Sequence, residues 1–112
     1  MDLSFPDAKI RGLCCSKSAL VHEFGAELAG KIICRLAVLA AAPTLANVPV
    51  GPPVGLTRRA MKGSFSVALG ADHQLLFQTI PVEAAEDTDF SLVSKLLIIG
   101  PEPVRTAKAR QS

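Results

Sequence analysis

Between Gly63 and Val82 the stretch GSFSVALGADHQLLFQTIPV constrains the fold more than any other part of the chain. Phe65, Val67 and Leu69 alternate with Ser64, Ser66 and Ala68, the period of a strand with one buried face. Gly70-Ala71-Asp72 supplies turn chemistry, and Leu75 and Phe77 then share a face with Leu76 opposite. The expectation is a β-hairpin, Ser64 to Leu69 and Gln74 to Pro81, with the polar triplet Asp72-His73-Gln74 at its bend.

The rest of the chain is organised around that hairpin. DLSF reads as a short edge strand ended by Pro6. From Lys9 to Phe24 the apolar residues Ile10, Leu13, Cys14, Leu20, Val21 and Phe24 recur at helical spacing, and Gly25 is placed to cap that helix. A second helix is expected over Ala26 to Ala41. Leu28, Ile32, Ile33, Leu36 and Leu39 form its apolar side, and Glu27, Lys31 and Arg35 step down the other at i, i+4. Two helices joined at one glycine fold back as an antiparallel pair.

Pro43 ends the second helix, and Pro43 to Gly55 reads as an extended connector; a flexible linker between domains is the alternative, against which its Val and Leu residues argue that it hugs the surface. Leu56 to Ala60 is a weaker strand candidate, and Val93 to Ile99 is a good one, stopped by Gly100-Pro101. The acidic stretch Glu83 to Asp89 reads as a solvated loop. These elements give one α+β domain over residues 1–100: a short N-terminal strand, an antiparallel helix pair, then a mostly antiparallel sheet of three to four strands. Residues 101–112 are expected as a flexible tail with little to bury.

At 112 residues the chain has room for one core, and it buries roughly two thirds of its unfolded surface on folding. Apolar residues make up 49% and the mean hydropathy is +0.36, so an apolar patch is expected to stay uncovered. That implies an oligomer or an obligate partner, and composition does not choose between them. A homodimer would use the apolar helix face. The net charge of +2 is segregated: Arg58, Arg59 and Lys62 lie in a stretch without acids, and Glu83, Glu86, Asp87 and Asp89 in one without bases.

Three cysteines form no closed disulfide set and no CxxC pair, which excludes a recognisable zinc signature and fits a reducing compartment. Cys14 and Cys34, at helical apolar positions, read as small core residues. Met1 to Phe5 lacks the basic start of a signal peptide. The most apolar run, Leu28 to Ala42, is interrupted by Lys31 and Arg35 and is too short to span a bilayer. A cytoplasmic location with no membrane contact is expected.

Few residues offer chemistry. His73 is either a polar residue flanking a turn or a general acid or base near neutral pH. Asp72 reads as a turn residue, with orientation of His73 as the alternative, and His22 as a helix C-terminal residue facing the dipole. Arg58, Arg59 and Lys62 either protect an edge strand by charge or contact RNA. The paired acids of residues 83–89 have no fixed geometry for a divalent metal. GPPVG lacks the lysine and serine of a phosphate-binding loop, so no cofactor or metal is expected.

The order of elements resembles the RelE/ParE superfamily of bacterial toxins, and within it the HigB-like plasmid maintenance system killer proteins. MDLSFPDAKIRGLC is similar to that group's opening, and FGAELAGKIICRLAVLAAAPTL to its second helix. KGSFSVAL resembles its K/R-G-Q-F/W-S strand at Lys62, Gly63, Phe65 and Ser66, and HQLLF occupies the place of Y-R-L-I-F.

The resemblance covers roughly residues 1–100. It implies the toxin of a type II toxin-antitoxin pair, silenced by a helix-turn-helix antitoxin. The implied activity is a metal-independent endoribonuclease that cuts mRNA at the ribosome. Such an enzyme takes the proton of a 2′-hydroxyl, stabilises charge on the phosphate and protonates the leaving oxygen. The implied catalytic residues are His73, Lys62 and Arg58, with Arg58, Arg59 and Lys62 on the RNA. Three departures thin this machinery. Gly55 stands where the family often has histidine, His73 where it has tyrosine, and Gln74 where it has arginine. Glutamine cannot replace a permanent bidentate cation. The alternative is a non-catalytic protein with the toxin fold that acts only as a protein-binding module.

Overall fold

One aspartate and one serine side chain, each capping a helix, divide the helical region differently from its apolar spacing. In the computed structural model, which describes residues 1–51, 54–59, 61–70, 72–80 and 90–103, the first helix is split. α1 runs Ala8–Cys14 and α2 runs Lys17–Phe24. Asp7 caps α1 by accepting from the Ile10 N–H at 2.9 Å, and Ser16 caps α2 by accepting from the Ala19 N–H at 3.2 Å. The chain thus forms two helices where a single one from Lys9 to Phe24 was expected. Ser16 is extended, at φ −124° and ψ 113°, because a serine inside a helical run competes for the backbone and starts a new helix.

Gly25, at φ 88°, ends α2 and opens α3, which spans Ala26–Ala41 as the periodicity predicts. Its buried stripe is Ala29, Ile32 and Leu39. Cys34 lies about 200° around the helix from Ile32 and is exposed, so only Cys14 of the two expected core thiols is buried.

The N-terminal strand and the four strands expected after the helices join in one five-stranded sheet, in the order β1-β5-β4-β3-β2. They are β1 (Asp2–Ser4), β2 (Thr57–Arg58), β3 (Ser64–Ala68), β4 (His73–Thr79) and β5 (Lys95–Pro103). β1 pairs parallel with β5, with Asp2 opposite Lys95, and all other pairs are antiparallel. β5 does not stop at Gly100-Pro101, and the sheet continues three residues past the expected boundary at 100. A register shift beside Leu76 and Phe77 accommodates Ile99, and Gly100 takes φ 135°. β1 pairs only with Lys95 to Leu97, so the prolines at 101 and 103 fall where β5 needs fewer donors. The acidic stretch and the tail from 104 lie outside the described residues.

Strand alternation sorts the sheet into two faces. Phe65, Val67, Leu75, Phe77, Leu96 and Ile98 are buried in one core with Leu20, Ile32 and Leu39 from the helices. Ser64, Gln74, Leu76, Gln78, Leu97 and Ile99 line the second face and are half-buried. Leu45, Val48, Val54 and Leu56 are buried, so the connector hugs the domain as expected. Leu45 donates to the Val93 carbonyl at 2.9 Å, tying a 3₁₀ turn at Leu45–Asn47 to the approach of β5.

Candidate functional site

Arg58 and Arg59 are neighbours on one extended segment, so they face opposite sides of the sheet. Arg58 pairs with Phe65 across the ladder. Its guanidinium carbon stands 5.4 Å from the centroids of both Phe65 and Phe90, a cation–π arrangement on the core side. Phe90 meets Phe65 edge-on at 5.3 Å, and Phe77 stacks on Phe65 at 6.1 Å. Arg58 therefore crowns an aromatic cluster.

Arg59 takes the second face. Its N–H bonds the Ser64 carbonyl at 2.7 Å, and its Nη1 donates to Gln74 Oε1 at 3.4 Å. A cavity of about 300 Å³ lies there, lined by Arg59, Met61, Ser64, Leu76, Gln78 and Ile99 among others. It offers one permanent cation, amide and hydroxyl groups, and an apolar floor. Lys62 is exposed in the turn that leads through Gly63, at φ 73°, into β3.

His73 opens β4 opposite Pro103 and is half-buried. Its carbonyl accepts the Leu69 N–H at 2.9 Å, closing the hairpin tip. As the residue two before Leu75 it belongs to the core-side row, whereas Gln74 points to the other face. His73 borders two clefts. One, of about 230 Å³, includes Phe24, Glu27, Lys31 and Asp72; the other, of about 80 Å³, includes Gly55, Thr57, Ser66 and Gln74.

The sequence-derived set is thus not assembled in one place. Arg59 meets Gln74, Arg58 is held by aromatic rings on the opposite side, and His73 lies at the far end of the ladder from Phe65. Gly55 has its own structural reason, because at φ 60° it occupies a left-handed conformation that disfavours most side chains. Among the described residues no group of three His, Cys, Asp or Glu side chains converges as a metal site. Burial, helped by the neighbouring Cys15, pushes the Cys14 thiol up.

Two cations, Lys31 and Arg35, lie on the side of α3 opposite its expected apolar face. Both are half-buried. Arg35 Nε donates to the Ala68 carbonyl at 2.7 Å, and Lys31 stands against Gly70. Their interruption of the most apolar run was the available signal.

Comparison with known protein families, curated proteins and solved structures finds no match. No helix among the described residues is long and apolar enough to cross a membrane.

Proposed function

We propose that this chain is a RelE/ParE-type toxin of a type II toxin-antitoxin pair, an mRNA endoribonuclease with attenuated catalysis. The observation that carries this reading is the approach of Arg59 to Gln74. A permanent cation from β2's end stands beside the glutamine that occupies the family's arginine place. It can neutralise a phosphate, with Leu76 and Ile99 offering apolar surface to a base. The attenuation follows from His73, whose ring belongs to the other row of β4. A proton acceptor and a phosphate cation must converge on one linkage to act together. In this reading the partners are a helix-turn-helix antitoxin, mRNA and the ribosome, and the setting is the cytoplasm.

Induction in bacteria followed by mapping of RNA ends tests the proposal. Slowed growth with new ends in translated messages is expected, relieved by Arg59→Ala. Unchanged growth and intact transcripts would overturn it. The second reading, a non-catalytic binding module, draws on Arg58, whose guanidinium is engaged by Phe65 and Phe90. Capture of a small helix-turn-helix protein encoded beside this chain, with no RNA ends, would select that reading.

A further inference from the structure

The hairpin tip carrying His73 and Gln74 is gripped from behind by α3. Ala68 is the last residue of β3, and its carbonyl receives Arg35 Nε at 2.7 Å across 33 residues of sequence. Charge-assisted bonds of this kind are short and directional. One turn earlier on α3, Lys31 Nζ stands 2.8 Å from where a Cβ would sit on Gly70. Gly70 is at φ 98°, a backbone conformation that favours glycine, with the ammonium end of the Lys31 side chain lying over it. Leu69 N–H to His73 O then closes the tip.

We infer that Arg35 and Lys31 are positioning residues that fix the hairpin tip against α3 and so set the place of His73 between its two clefts. The larger cleft is itself walled by α3 through Glu27, Leu28 and Lys31, so a slip of the tip would change both clefts together. Two half-buried cations in the most apolar run of the chain thereby have a defined task. This extends the proposed function by naming what holds its acid–base candidate, and it rests on that reading only in giving His73 a role.

Amide hydrogen exchange and the ring resonances of His73, measured on the whole protein, test the inference without RNA. Arg35→Met is expected to speed exchange of the Leu69 amide at least tenfold and to shift the His73 ring signals, while the Leu75 and Ile98 amides keep their rates. Arg35→Lys, which retains one donor, is expected to recover much of the protection. Uniform acceleration across the sheet would mean general destabilisation, and unchanged Leu69 and His73 signals would mean no positioning. Either result overturns the inference. Should Arg35→Met fail to fold, Lys31→Met provides the same comparison, because Lys31 is partly exposed and its ion pair with Glu27, at 3.5 Å, is a surface one. Loss of RNA cleavage with unchanged exchange would count against the positioning role and leave the nuclease reading standing.

Discussion

Arg59 Nη1 reaches Gln74 Oε1 at 3.4 Å, joining the end of β2 to the start of β4 across the half-buried face of the sheet. An exposed arginine and a neutral amide share that site, so its charge rests on Arg59 alone of the two. Arg59→Ala is expected to weaken binding of single-stranded RNA. It should also flatten the dependence of log affinity on log salt by about 0.7, the contribution of one phosphate contact. Gln74→Arg should steepen it by a similar amount. Fluorescence anisotropy over a salt series reads both changes.

Arg58 is expected to behave as a stability residue first. Arg58→Ala removes a cation from two aromatic faces at an exposed position and should cost about 0.5–1 kcal/mol in urea unfolding. A double-mutant cycle with Phe90→Ala should show coupling, since the two side chains touch.

Gly55 offers a gain-of-function test. Its Cβ would stand 3.7 Å from the Ala68 Cβ, an ordinary contact, so the left-handed backbone is the main obstacle to a larger residue. Gly55→His should lose about 1–2 kcal/mol of stability. The added imidazole would enter the cleft beside Gln74, on the side Arg59 occupies, and RNA cleavage is expected to rise. Parallel unfolding and cleavage assays would check both halves.

Much of this arrangement was readable from the residues, and the exceptions have identifiable causes. The bounds of α3 follow from helical periodicity between Gly25 and Pro43, and the β3–β4 hairpin from strict alternation about Gly70. Ser16 was submerged in an apolar periodicity that continues in phase across it, so one hydroxyl capping Ala19 was enough to break a predicted helix. Gly100-Pro101 carries the signature of a strand end, yet a bulge and a missing neighbour let the strand continue. Arg58 and Arg59 could have been separated in advance, because adjacent strand residues face opposite ways. The job of Arg35 could not, because its partner is a backbone carbonyl distant in sequence.

Thiol chemistry should separate the three cysteines. Cys15 and Cys34 are exposed and are expected to react promptly with iodoacetamide, while Cys14 reacts only as the chain opens. Burial raises the Cys14 thiol above its ordinary value, so the folded state holds that proton where the unfolded chain releases it. Its contribution is complete below the unfolded thiol's pKa and is lost as pH rises through the folded one. Cys14→Ala should flatten the alkaline fall in stability, which mass spectrometry of labelling and urea melts at pH 7 to 10 would show.

Ser16→Ala should lower stability by about 1 kcal/mol through the lost cap of α2, measured by thermal or urea unfolding. Ser16→Asp, which keeps an acceptor and adds charge at the helix start, should be neutral or stabilising.

The parallel pairing of β1 with β5 also fixes an order in time. Asp2, Leu3 and Ser4 are synthesised about ninety residues ahead of Lys95, Leu96 and Leu97, yet each strand completes the other. At about 5–20 residues per second, β1 waits on the order of ten seconds for its neighbour. Throughout that interval the core that holds Leu20, Ile32 and Leu39 lacks Leu96 and Ile98. A binding partner already present during synthesis would therefore meet an unfinished core, and its timing as well as its affinity would decide how much of the chain matures.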